Sequence, residues 1–203
     1  MRIGFLGPCL DLTRLERAAD FLLVSEKASR VIYLSDDGAL DRCVASWATR
    51  LVGDDPTDEG AWRRAADVAL WGGPEKIDAY VDGERKRLSL RSLMSLPERV
   101  LRTVEMIGDR VAVITFDKAS LDEEDIFAAR LVIYGKSPNA LVKAIGSRTF
   151  LTPGPLGETG GIMLLAEGDD IATVTIYDTA ERSIHQAQLA LPKTTKMRVQ
   201  SSS

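Results

Sequence analysis

The stretch RVIYLSDDGALD at residues 30–41 limits what this chain can fold into more than any other. An apolar run, 31–34, stops at a small acidic loop, Ser35-Asp36-Asp37-Gly38, and helical spacing then resumes at Leu40, Val44 and Trp47. This is the pattern of a buried strand that hands carboxylates to a strand–helix junction. In open α/β sheets such junctions, at the carboxyl ends of strands, are where ligands bind.

The flanking sequence extends the same pattern. Residues 3–6 form a short apolar run ending at Gly7-Pro8. Leu12, Leu15, Ala18, Ala19, Leu22 and Leu23 then follow helical spacing, with Arg14, Glu16, Arg17 and Asp20 on the opposite face. The chain therefore opens strand, helix, strand. The right-handed crossover makes the two strands parallel neighbours whose loops open on one edge of the sheet. Helices are expected over 39–51 and 59–70, the second ending at Gly72-Gly73-Pro74. Residues 75–96, rich in Lys, Arg and Glu with scattered leucines, read as a helical excursion before Pro97. Strands are expected over 100–107 and 110–116, as a pair around Gly108-Asp109, and over 131–134, 149–152, 162–166, 171–177 and 184–191. The first strand-to-loop pattern recurs at 131–139, with Gly135-Lys136-Ser137-Pro138-Asn139 as the loop. The reading is one domain, residues 1–192, with a frayed polar tail at 193–203.

Composition narrows the function. With 203 residues, 45% of them hydrophobic, the chain can bury one sizeable core. A net charge of -4 and a pI near 5.2 supply no drive toward nucleic acid or anionic membranes. The opening MRIGFLG is too short an apolar run for a signal peptide, and nothing approaches the roughly 20 apolar residues of a membrane span. Two cysteines, Cys9 and Cys43, suit a reducing compartment better than a disulfide framework, which points to the cytoplasm. The single histidine, His185, leaves little scope for His-based metal ligation or a Ser-His-Asp arrangement, and it reads as an ordinary residue of a late strand.

The order of the loops gives a resemblance. GPC at 7–9, SDDGALD at 35–41, GGPE at 72–75, TFD at 115–117, GKSP at 135–138 and TPGP at 152–155 follow one another in the chain. Up to about Tyr177 this resembles the calcineurin-like metallophosphoesterases, in their small bacterial and archaeal phosphodiesterase branch. The matching loops of that family read Asp-x-His, Gly-Asp-x-x-Asp, Gly-Asn-His-Asp/Glu, His-Gly, Gly-His-Thr-His and Asn-Pro-Gly-Ser. The resemblance implies a four-layer α/β/β/α sandwich with two mixed sheets.

In that family two divalent metals, roughly 3.5–4 Å apart, clamp a phosphate and activate a water for in-line attack. The resemblance puts Gly7 where the first aspartate stands, Cys9 for the first histidine, Gly73 for the asparagine and Pro74 for the histidine beside it. Phe116, Lys136 and Pro138 stand for the remaining histidines. Asp36, the residue that bridges both metals in the family, is retained. A single carboxylate among such neighbours is not a dinuclear site, so no cofactor is expected. The alternative is an oxygen-only Mn or Mg site drawn from Asp36, Asp37, Asp41, Asp11 and Glu75. The same carboxylates also read as turn residues and helix caps.

Other residues are weighed alongside. Cys9 and Cys43, with no C-x-x-C spacing, read as small buried apolar residues. The loop TPGPLGETGG at 152–161 lacks the Gly-Lys-Ser/Thr ending of a phosphate loop, and its prolines remove donors, so it reads as a turn between strands. Lys136 is expected to pair with Asp36, an internal ion pair in place of a metal. The function expected is a catalytically inactive protein of this fold that binds a protein partner or a second copy of itself. The retromer subunit with this fold offers the precedent. A phosphodiesterase with an atypical site, or a nucleotide or phosphate sensor using Lys136, are the alternatives. The expected partner surface lies in 75–96, where Arg85, Lys86, Arg87 and Arg91 adjoin Leu88, Leu90, Leu93 and Met94; an amphipathic helix packed on the sheet is the plainer reading of that segment.

Overall fold

The computed structural model describes residues 1–98, 101–168 and 171–190. The chain opens with β1 (Arg2–Leu6), α1 (Leu12–Asp20) and β2 (Arg30–Tyr33), and the two strands are parallel, with Leu6 opposite Tyr33. Asp11 starts α1 by accepting the N–H groups of Thr13 and Arg14 at 3.0 and 3.2 Å, a cap of the kind worth about 1 kcal/mol. Three helices follow β2: α2 (Ala39–Val52), α3 (Asp58–Trp71) and α4 (Pro74–Ser89). The excursion expected over 75–96 is helical only as far as Ser92. It ends in β3 (Leu93–Ser95), which pairs in parallel with β2. A strand this short shows no alternation in the sequence, and the charged helix before it hides the change.

The second sheet comprises β4 (Arg102–Ile107), β5 (Arg110–Thr115), β6 (Leu131–Tyr134), β7 (Leu141–Ile145) and β8 (Arg148–Thr152), with α5 (Glu123–Ala128) between β5 and β6. Its order is β4-β5-β6-β8-β7. The chain then returns to the first sheet through β9 (Ile162–Glu167), β10 (Ile171–Tyr177) and β11 (Ser183–Ala190), giving the order β11-β10-β9-β1-β2-β3. Both sheets mix parallel and antiparallel neighbours. Besides β3, two elements go beyond the sequence reading. Helix α5 starts at a reciprocal cap between Asp122 and Asp125, and β7 is joined to β8 by a tight turn with Gly146 at φ +59°. Residues 100 and 191 of the expected strands, the domain limit at 192 and the tail at 193–203 lie outside the described residues.

Alternation along the strands explains the layers. On β1 and β2, Ile3, Phe5, Ile32 and Leu34 face the second sheet, where they meet Ala112, Ile114, Leu131 and Ile133. The other faces, with Leu6, Val31 and Tyr33, pack under α1 and α2 against Leu15, Leu22, Leu40 and Cys43. The outer face of the second sheet, with Val113, Val132 and Tyr134, forms a smaller cluster with Ala129. Strands buried on both sides need apolar residues at every position, which is why VIYL and LVIY are continuous runs.

Candidate functional site

The loops leaving the carboxyl ends of β1, β2, β5 and β6 converge. The first is closed. Gly7 donates its N–H to the Gly161 carbonyl at 2.8 Å, and a Cβ at position 7 would lie 1.7 Å from the carbonyl oxygen of Gly154. An aspartate there would collide with backbone. Gly154 is itself at φ +72°, pressed against Ala140, and Pro8 accepts the Leu156 N–H at 3.1 Å. The turn between β8 and β9 therefore packs over the end of β1 and fills the space that any side chain at position 7 would need.

A tyrosine joins the first two loops. The N–H of the buried Cys9 donates to the Tyr33 hydroxyl at 3.0 Å. That hydroxyl lies 3.1 Å from the Cys9 carbonyl and 3.0 Å from Asp37 Oδ2, so its one proton is shared between two acceptors. Asp37 also accepts from the Ser35 hydroxyl at 3.0 Å and from the Ala39 N–H at 2.8 Å, which starts α2. Burial pushes the Tyr33 phenol up, and the Asp37 charge pushes the same way, so the phenol stays protonated.

Asp36, in contrast, is exposed, and makes no hydrogen bond among the described residues. It borders a cleft of about 460 Å³ together with Asp37, Asp41, Ser95, Leu96 and Glu98. Asp41 accepts the Ser95 hydroxyl at 3.0 Å. Glu98, absent from the sequence reading, arrives in the loop after β3. It could have been found only by recognising β3. Asp11 is occupied in capping α1, and Glu75 sits in the first turn of α4, so neither lines the cleft. Among the described residues, no group of three or more His, Cys, Asp or Glu side chains is arranged to hold a metal ion. The donors present do not fit the pair of metals that the resemblance implies.

Gly73 and Pro74 are not brought to Asp36. They form the exposed start of α4, where a Cβ on Gly73 would meet nothing within 4 Å. The loop at the carboxyl end of β3 is instead 96–98, because three helices intervene between β2 and β3. Phe116 is half-buried against the core between the sheets, and its carbonyl accepts the N–H groups of Gly135 and Lys136 at 3.1 and 2.8 Å. Gly135 touches Leu34 closely: a Cβ there would lie 1.7 Å from the Leu34 carbonyl oxygen. Pro138 is exposed.

The ion pair expected between Lys136 and Asp36 is not the one formed. The Lys136 ammonium donates to Asp117 Oδ2 at 2.6 Å, and Asp36 acts on it only through space. Asp117 directly follows Phe116, whose carbonyl holds the Lys136 backbone, so this carboxylate is the one within reach. The ammonium in turn holds the Asp117 carboxyl below its ordinary range.

Cys9 and Cys43 are free and buried. Burial raises both thiols, that of Cys43 to about 11. His185 lies exposed on the edge strand β11, opposite Ile176. The expected partner surface is only partly a surface. Leu90 and Leu93 are buried, and Arg87, with 8% of its side chain exposed, donates to Glu84 at 2.6 Å, Asp58 at 2.9 Å and the Pro56 carbonyl at 2.9 Å. Arg85, Leu88, Arg91 and Met94 remain exposed. Sequence alone reads every Arg of a charged helix as solvated; this one is an internal tie between α4 and the start of α3.

No family model matches the chain, and no curated protein matches it. Solved structures do match. A conserved protein of Streptococcus pneumoniae, described as a predicted phosphoesterase, is similar over 93% of this chain and 97% of its own, at 12% identity and a TM-score of 0.52. The phosphoesterase YfcE of E. coli is similar over 95% of this chain and 100% of its own, at 14% identity and a TM-score of 0.49. Vps29 of Entamoeba histolytica, as a single mutant, gives the same coverage, identity and TM-score. Among the described residues, no helix is long and apolar enough to cross a membrane.

Proposed function

We propose that this chain, metallophosphoesterase-like in fold, is a catalytically inactive member of that architecture that works as a protein-binding scaffold in the cytoplasm. The observation that carries this reading is the contact of Gly7 with Gly154, which leaves no room for a ligand side chain at the first position of a dinuclear site. The engagement of Lys136 by Asp117 supports it, since a phosphate sensor would need that ammonium turned to its ligand. Two buried free thiols agree with a reducing compartment. The exposed residues Arg85, Leu88, Arg91 and Met94 offer one face to a partner.

A second reading is favoured by one feature, the cleft that gathers Asp36, Asp37, Asp41 and Glu98. It is a phosphodiesterase with an oxygen-only site for Mg²⁺ or Mn²⁺. Elemental analysis of protein purified without chelator separates the two, together with turnover of a bis-aryl phosphodiester in added Mn²⁺. The scaffold predicts no stoichiometric metal and no turnover. Near-stoichiometric Mn, Fe or Zn, or turnover abolished by Asp36→Asn, overturns it.

A further inference from the structure

Helix α3 is apolar on both sides yet lies on the surface. From Gly60 onward its charged residues are Arg63, Arg64 and Asp67, and the apolar remainder is more than one packed face can cover. On its inner side Arg64 Nε donates to Glu84 at 3.0 Å, the Ala61 carbonyl accepts the Tyr80 hydroxyl at 3.1 Å and Val68 is half-buried, while Trp71, at the C-terminal end and off the outer stripe, is 80% exposed. Only Gly60 is fully buried. The outer side carries Trp62, Ala66, Ala69 and Leu70, all exposed, with Trp62 at 79% and Leu70 at 70%. These four follow the spacing i, i+4, i+7, i+8, which puts them in one stripe.

We propose that this stripe is a homodimer interface, in which α3 of one copy packs antiparallel on α3 of another about a twofold axis near Ala66. The inference is independent of whether the acidic cleft has any activity. Three features select a second copy as the occupant. The stripe has large residues at its ends and alanines in the middle. Antiparallel pairing therefore sets Trp62 of each copy beside Leu70 of the other, while the alanines let the helices approach closely. The flank is also self-complementary in charge. Arg63 and Asp67 lie one turn apart on the same side of the stripe, and antiparallel helices bring like flanks together, so each Arg63 meets the other copy's Asp67. Within its own copy Arg63 also pairs with Asp55, and that pair is itself exposed.

The area is the third feature. The stripe offers about 400 Å² of apolar side chain per copy, within the range of functional patches on monomers. With its charged flanks a symmetric pair buries about 1,000 Å² in total, the lower limit for a specific interface. The dimer is accordingly weak and concentration-dependent, and isologous, as twofold contacts are.

Sedimentation or light scattering of the full chain from about 1 μM to about 1 mM, affinities that bracket so small an interface, tests this. The mass is expected to rise from 22.2 kDa toward twice that value, while Trp62→Glu stays monomeric throughout. Arg63→Asp and Asp67→Arg each place like charges across the axis and weaken self-association by about tenfold or more. An equimolar mixture of the two restores it, because every facing pair is then opposite in sign. All three positions are exposed, and unchanged thermal unfolding confirms that the variants fold. A wild-type mass that stays at 22.2 kDa to the top of the range overturns the proposal. So does a Trp62→Glu protein that still dimerises, or a mixture that stays monomeric.

Discussion

Gly7 and Gly154 are in backbone contact: the place of a Cβ on residue 7 lies 1.7 Å from the carbonyl oxygen of residue 154. The position that the resemblance gives to a first metal ligand is thereby occupied by the chain itself. Gly7→Asp, which introduces the acid that the resemblance expects at this position, is expected to cost at least about 3 kcal/mol or to prevent folding, as overpacking against fixed backbone does. Urea denaturation reads the loss. A Gly7→Asp protein of wild-type stability would show that the turn over β1 gives way freely.

Tyr33→Phe removes one hydroxyl and leaves the buried Cys9 N–H without its acceptor. The expected loss is about 1–3 kcal/mol, the penalty of an unsatisfied buried polar group. The denaturation midpoint moves while its slope stays, because the surface exposed on unfolding is the same. A midpoint within error of wild type would mean that the link between the loops after β1 and β2 is idle.

Arg87→Met strips a buried carboxylate of one of its two guanidinium partners, leaving Glu84 to Arg64 alone. Breaking such a pair from one side costs about 3 kcal/mol. The pH dependence follows from Glu84. Burial works to raise its carboxyl, but hydrogen bonds from Arg87 and Arg64 outweigh burial and hold it low in the folded state. The stabilisation is therefore full above the unfolded value of about 4.3 and disappears as pH falls through the lower folded value. The gap between wild type and Arg87→Met should close in acid. A gap that is constant from neutral pH downward would contradict this.

Lys136→Met releases Asp117. Its carboxyl should titrate at higher pH in the variant than in wild type, because the ammonium that depresses it has gone. Carboxyl carbon resonances followed by NMR give the direction. An Asp36 carboxyl that moved while Asp117 stayed would restore the pairing expected from sequence.

The thiols supply a further check. With Cys43 raised to about 11 and both cysteines buried, neither should react with a thiol reagent near pH 8 until the protein unfolds. Fast labelling of the native protein at either cysteine would show that the layer between α2 and the sheet opens.

How far the sequence could be read depended on distance along the chain. The opening βαβ unit was legible because 31–34 and the leucines of α1 carry their periods within a few residues. The two-sheet sandwich came from the order of the loops. Strand β3 was hidden, since three residues after a charged helix have no period, and missing it set GGPE beside Asp36 where 96–98 belongs. Arg87 reads as solvated on α4 until Asp58 and Glu84 fold around it. The closing of Gly7 by Gly154, and the choice of Asp117 over Asp36 by Lys136, depend on which loops touch across the sheets. No local pattern encodes either.

The Tyr33 hydroxyl has one more consequence. Where bound ions cross-link the loops of a two-metal enzyme, the assembled geometry waits on metal supply and is undone by chelators. Here the corresponding link between the loops after β1 and β2 is a phenol carried in the chain, stoichiometric from synthesis and beyond the reach of EDTA. That link therefore holds alike in metal starvation and in plenty.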